Sequence, residues 1–541
     1  MARKSRSFSP RCLLCIFASV LLPAVFWFTA SRMLSLDERP HRQFVAAHNQ
    51  TSQAAGGLFA NRRTTVVAPV TPEQVVEVTT AAANDASSHE DPRAGAVREM
   101  ILHFWRGYKA SGWGCDEVAP IYGGCGKGSW GNLGMTIVDS LDTLWLAGLY
   151  EEFLEGERWV ADEFLRDGQH SAGRVSFFET TIRALAGLLS AYALSKHTVF
   201  LQKARKIGDR LLHAFKNRPW VASYIDVRRP QDLESTPHWR NSHALADAGS
   251  NVLEFAYLSR ATGDSTYGDI AEKHMRKIMQ TARRSHMELA PMFLDAGSER
   301  FAGNSVSMAA CADSYFEYLL KMYLVSGKRD LEALRSWKAA MSQMRSTLIG
   351  VSKERLTYVS VSAYAGSRGG PNIMDHLSCF VGGNLALGSY FVPKEHAEDW
   401  WLQTGIDITR SCYETYRRSP TGLASEVNQF GDSLYATERQ YRLRPETLES
   451  LFYLYRITGN STYRDWSWQI IQAINRTART KYGFAKVVDT QSRYVRLEDS
   501  QETFMGAETL KYALLIHLPS DVLPLEKYVF NTEAHPFPVQ V

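Results

Sequence analysis

The chain has 541 residues, 45% hydrophobic and 22% charged, a globular composition that excludes full disorder and collagen-like structure. Its length nominally allows three or four domains of ~150 residues, and one large repeat-built domain fits as well. Lys and Arg number 61 against 57 Asp and Glu, a net charge of +4 spread along the chain; without a clustered basic footprint, DNA and RNA are poor candidate partners.

Residues 1–11 carry Arg3, Lys4, Arg6 and Arg11 with no acid, and residues 12–30 run nineteen positions without a charge. That run exceeds the ~7–15-residue core of a cleaved signal peptide and can span ~30 Å of hydrocarbon as a helix. The reading is a cytoplasmic tail (1–11) and an uncleaved transmembrane signal anchor (12–30), single-pass and type II, with the rest lumenal or extracellular by the positive-inside rule. Residues 31–92 hold no Trp or Tyr and only Phe44 and Phe59, too little to bury, so they read as a disordered stem. Asn49, Asn460 and Asn475 head glycosylation sequons. Cys12 and Cys15 fall in the apolar run, and five cysteines follow it; an odd number cannot all pair, and spacing leaves the connectivity open.

Beyond Ala94 apolar residues recur at helical spacing, broken by short polar turns. LSRATGDSTYGD (258–269) and LYRITGNSTYRD (454–465) agree at eight of twelve positions. Each reads as a helix stopped by Thr-Gly, then a polar cap opening a second helix. Such hairpins over some 450 residues form a closed toroid or an open solenoid, and periodicity does not separate the two. Looser copies of the turn occur at AYALSKHTVF (191–200) and MYLVSGKRDL (322–331), and Glu179, Asp247, Asp313 and Glu446 each stand 13 to 17 residues before such a turn, near the starts of their helices. A closed ring would gather them, with Glu508 and Glu533, at one mouth. Acids at helix starts also complement the macrodipole, but those within SFFETTIRALAGLLSAY and LRPETLESLFYLY sit in apolar surroundings beside Arg183 and Arg444. Carboxylates, arginines and an aromatic such as Phe504 suit a carbohydrate.

Gly126, Gly128 and Gly131 spell GxGxxG without a preceding parallel-strand unit, so a flexible loop flanked by Cys115 and Cys125 is the better reading. His376 alone on an apolar stretch reads as a hydrogen-bonded core residue. Beyond the apolar run no CxxC occurs, and HExxH, EF-hand, GxSxG and P-loop patterns are absent from the sequence.

LGMTIVDSLDTLWLAGL (133–149), SFFETTIRALAGLLSAY (176–192), ADSYFEYLLK (312–321), MDHLSCF (374–380), LRPETLESLFYLYRITG (443–459), GAETLKY (506–512) and VFNTEAHPFP (529–538) follow in order. Together they resemble the class I α-1,2-mannosidases of glycoside hydrolase family 47, over about residues 93–541. The resemblance implies an all-α (α/α)7 barrel and inverting, Ca²⁺-dependent exo-hydrolysis of terminal α-1,2-linked mannose from high-mannose N-glycans. It implies a monomer of the Golgi or endoplasmic reticulum membrane with its catalytic domain in the lumen. By motif position it makes Glu179 and Asp313 the acid-side carboxylates, Glu446 the general base and Thr532 the Ca²⁺ ligand. Arg183, His376, Glu426, Arg444, Glu449, Phe504, Glu508 and Glu533 become the mannose pocket, and Cys379 with Cys412 the family's disulfide. Glu508 and Glu533 are then holders of metal-bound waters, and the carboxyls of an inverting pair should lie roughly 6.5–9.5 Å apart.

Four departures from the family stand out. Cys311 replaces an arginine common in members that remove one mannose, Asp247 a glutamate, Met505 and Gly506 bulkier residues, and Cys115 a histidine. The competing readings are a mannosidase-like glycan receptor of weak activity and, more remotely, a structural solenoid.

Overall fold

The computed structural model describes residues 91–540 apart from 128–129, 167–172, 217–218 and 230–240. The tail, anchor, stem and Asn49 lie outside the described residues, among which no helix is long and apolar enough to cross a membrane. Helix α1 (Pro92–Ser111) is followed by α2 (Met135–Leu146) and α3 (Tyr150–Asp162). Helix α4 joins Phe177–Glu179, a π turn at Thr180–Leu185 and Ala186–Ser195, and leads to α5 (Thr198–Leu211). A short α6 (Leu245–Gly249) precedes α7 (Val252–Thr262) and α8 (Thr266–Arg284). Then come α9 (Asp313–Val325), α10 (Leu331–Thr347), α11 (Phe380–Phe391), α12 (Trp400–Arg417), α13 (Glu446–Thr458) and α14 (Thr462–Thr477). Helix α15 joins a second π turn, Met505–Thr509, to Leu510–His517.

Among the described residues, α2, α4, α7, α9, α11, α13 and α15 pack side by side in that order, and the π turn of α15 returns to α2. The ring is therefore closed, and each inner helix carries an outer partner, with α1 serving α15. This is the (α/α)7 barrel. Patterning sorts the two layers. Helix α5 buries Phe200, Ala204, Ile207, Gly208 and Leu211, one stripe at helical spacing, as an outer helix requires. Helix α11 is buried from Phe380 to Gly388, all round, as an inner helix requires. Small residues set the spacing: a Cβ at Gly187 would lie 2.3 Å from the Val138 carbonyl oxygen, and one at Gly388 would lie 2.1 Å from Trp337.

The two open repeats fold alike. Helices α7 and α13 end on Gly263 and Gly459, at φ 76° and 68°, left-handed conformations that cost glycine nothing. Asp264 Oδ1 then accepts from Thr266 N, and Asn460 Oδ1 from Thr462 N, which starts the next helix.

A C-terminal hairpin, Tyr528–Phe530 paired with Pro536–Pro538, plugs the ring. Between its strands His535 reaches Asp139 and Asp142 of α2, and Asn531 Nδ2 donates to Ile182 O of α4 and Glu254 of α7. Lys321 of α9 donates to Asn531 O and Lys511 of α15 to Ala534 O. One short loop that touches five inner helices must lie near the ring axis. The remaining strands are two to five residues long, too short for alternation to register in sequence, and several lead into inner helices: Arg174–Ser176 runs into α4, and Ile373–Asp375 into the turn before α11. Disulfides join Cys115 to Cys125 and Cys379 to Cys412, and Cys311 is free.

Candidate active site

The acids near helix starts meet at the mouth because equivalent helices present the same end. One half of the site is built on the π turn of α4. There the Arg183 guanidinium donates from Nε to Glu179 Oε2 at 2.8 Å and from Nη1 to Thr503 Oγ1 at 3.1 Å, and it pairs with Glu533 of the plug loop. The Phe504 ring lies 5.8 Å from it. Burial alone would lower the Arg183 pKa, but Glu533, Glu179 and Asp139 raise it well above its ordinary value, so the cation is permanent.

The other half joins α11, α13 and the three-stranded sheet of Ile373–Asp375, Val427–Phe430 and Leu434–Glu438. His376 Nδ1 lies 2.8 Å from Glu446 Oε2, while its Nε2 lies 3.0 Å from the Tyr416 hydroxyl. His376 is thus hydrogen-bonded on both nitrogens and holds a carboxylate. Arg444 grips Glu426 through Nε and Nη2 at 2.9 and 2.8 Å, and its Nη1 comes within 4.0 Å of Glu446.

Glu446 and Asp313, at the start of α9, differ in protonation. Burial works to raise the Glu446 pKa, but the His376 hydrogen bond and the charges of His376 and Arg444 hold the carboxyl below the usual range. Burial pushes the Asp313 carboxyl the other way, up to about 7, reinforced by Glu317, Asp375 and Glu446. At pH 6 the mouth therefore holds one ionised and one largely protonated carboxyl, the pair that acid–base catalysis requires. Glu449, Glu508 and Glu533 are raised well above the ordinary value, first by burial and then by one another and their acidic neighbours.

Thr532 lies between Asn531 and Glu533, and its N–H faces the Tyr318 hydroxyl at 3.4 Å. Among the described residues no group of three or more His, Cys, Asp and Glu is placed to hold a metal directly. The donors here are oxygens, and the crowded acids around them outnumber their cations and are pushed toward the neutral form, so a hard cation held largely through water fits the site.

The sequence reading named the residues of both halves and passed over others. Asp375, raised to about 6 by burial and by Glu426, stands beside His376 in the MDHLSCF motif. Glu317 pairs with Lys321 one turn along α9 from Asp313, and the i, i+4 spacing was the available signal. The loop holding Gly126 and Gly131 is tied down rather than free, because Gly126 N donates to Glu117 O and Trp130 N to Asp116 Oδ2.

Residues 100–539 match the family model of glycosyl hydrolase family 47. Human "Endoplasmic reticulum mannosyl-oligosaccharide 1,2-alpha-mannosidase" is 38% identical over 472 residues, which are 83% of this chain and 64% of that protein. "Mannosyl-oligosaccharide alpha-1,2-mannosidase IA" of Spodoptera frugiperda is 36% identical over 496 residues, 90% of this chain and 73% of that one. The solved "alpha-1,2-mannosidase from Trichoderma reesei" superposes with a TM-score of 0.75 at 27% identity, covering 84% of this chain and all of the other. The chain belongs to glycosyl hydrolase family 47, a family of glycosidases.

Proposed function

We propose that this protein removes terminal α-1,2-linked mannose from high-mannose N-glycans, with inversion at the anomeric carbon and with Ca²⁺ bound at the base of the mouth. The observation that carries the reading is one barrel mouth that gathers Glu446, oriented by His376 and Arg444, with Glu179, held by Arg183, while burial favours the protonated form of Asp313. Glu446, ionised and oriented by His376, takes the proton of a water attacking C1. On the acid side, Asp313 or Glu179 delivers a proton toward the departing oxygen, directly or through water. Arg183, Arg444, Glu426, Glu449 and Glu508 hold sugar hydroxyls, and Phe504 faces the ring. Thr532 would hold the cation with its oxygens, and Glu508 and Glu533 would hold its waters; a bound Ca²⁺ would supply a hard Lewis acid for sugar hydroxyls.

We place this activity in a monomeric lumenal barrel, residues 93–541, in the endoplasmic reticulum or Golgi, behind the tail, anchor and stem read from the sequence; the human relative's endoplasmic reticulum name supports a secretory-pathway setting. The test is to incubate the protein with a nine-mannose N-glycan, with and without chelator, and to follow products by mass and the released anomer by proton NMR. Stepwise loss of hexose as β-mannose, stopped by chelation, is the expected result. Glycan binding without loss of hexose transfers the reading to a receptor.

A further inference from the structure

The segment from Cys115 to Leu133 is tied down by more hydrogen bonds than a surface loop needs. Asp116, 3% exposed, gathers four backbone N–H groups on one carboxylate: Trp130 and Asn132 on Oδ2, Leu133 and Met135 on Oδ1, at 2.7 to 3.2 Å. Thr136 Oγ1 donates to the Asp116 carbonyl, tying the loop to the first turn of α2, and the disulfide to Cys125 closes the other end. One side chain collects the benefit. Trp130 is half-buried, its indole N–H donates to Glu117 Oε1 at 3.1 Å, and its ring lies 5.3 Å from the Arg183 guanidinium carbon. Glu117 is itself buried, so the bond that fixes the indole lies out of water, where it is stronger.

Arg183 needs such support. Its Nη1 is shared among Thr503, Glu533 and, at 3.5 Å, Asp139, while its Nε alone holds Glu179. A small rotation of the guanidinium would trade one carboxylate for another. Two aromatic rings converge on it, Phe504 and Trp130, and a π face favours an overlying cation while limiting its tilt.

We propose that Trp130 is a positioning residue of the active site: its indole, fixed by Glu117 and delivered by the Asp116 cage, holds Arg183 in the orientation that pairs it with Glu179. The proposal rests on the mannosidase reading. Its test is a double-mutant cycle in the full chain, with Trp130→Ala, Arg183→Lys and the double variant, measured on the nine-mannose glycan. Trp130→Ala is expected to lower kcat about tenfold to a hundredfold, with KM moving less and thermal stability little changed. Trp130→Phe restores kcat to within about threefold, because the π face remains. In the Arg183→Lys background the Trp130→Ala loss largely disappears. Trp130→Leu, apolar without a π face, takes the place of the alanine variant if that one folds poorly. Unchanged turnover in Trp130→Ala, or losses that multiply in full, overturns the proposal. Should the parent chain bind glycan without cleaving it, the mannosidase reading falls, and the same cycle on calorimetric glycan affinity decides the role of Trp130.

Discussion

Two buried charge networks meet at Asp139 of α2, one around His535 of the plug loop and one around Arg183 at the mouth. In the plug, His535 sits between Asp139 and Asp142, and Lys511 reaches Asp142 at 2.9 Å. Burial there is outweighed by these partners: Asp139 is held low, and Asp142 falls to about 2, chiefly through Lys511 and His535. At the mouth burial wins at Asp313, Glu449, Glu508 and Glu533, which rise, while Glu446 is held low by His376 and Arg444. Around the plug each buried acid has a cation of its own; at the mouth the acids outnumber Arg183 and Arg444.

The largest expected effect is on chemistry. Glu446→Gln should lower kcat by about a thousandfold or more, with a melting temperature close to the parent's, since the amide still meets His376. Turnover and thermal unfolding of one preparation check both halves of that statement. Next comes the plug. Lys511→Met leaves Asp142 buried without its main partner and should cost roughly 3–5 kcal/mol in chemical denaturation; a loss below 1 kcal/mol would erase the distinction between the two regions.

Asp313→Asn should move the two properties in opposite directions. The folded pKa of about 7 lies above the unfolded value of ~3.9. The carboxyl therefore begins to cost stability as pH rises through about 4, and the cost levels off above about 7. Part of the side chain reaches the mouth, so the gain from asparagine is set at about 1 kcal/mol, larger at pH 7 than at pH 5, alongside lost turnover. The measurement that sharpens the contrast is acid titration. Asp142 is lowered to about 2, so its contribution is intact above about pH 4 and fades as pH falls toward 2, a change on the order of 2 kcal/mol. Denaturation curves of the parent and Asp142→Asn should converge over that interval.

The ring was legible because its signals are local. Gly263 and Gly459 stop helices within the repeat that contains them, and Glu179 and Glu446 stand at fixed distances before such stops. What escaped is non-local. His535 meets Asp139 across 396 residues, and no spacing rule connects an NTEAHP element with a VDSLD segment. Trp130 was hidden for the opposite reason: GxGxxG suggests freedom, and only the folded chain shows the Asp116 carboxylate collecting the loop. His376 looked like core and is buried, yet its ring nitrogens serve Glu446 as well as Tyr416.

The placement of α1 bears on how the molecule is made. This outer helix packs against α15, and Arg479, just past the end of α14, reaches back to Glu99 across 380 residues. On a ribosome the first helix of the barrel emerges long before its partners exist, and the loop that fills the axis comes last. Every intermediate length exposes an unclosed ring with apolar flanks, a surface for chaperones to cover. Closure is consequently a single late event, and a truncation that removes the plug loop should leave a chain that is synthesised but never completed as a barrel.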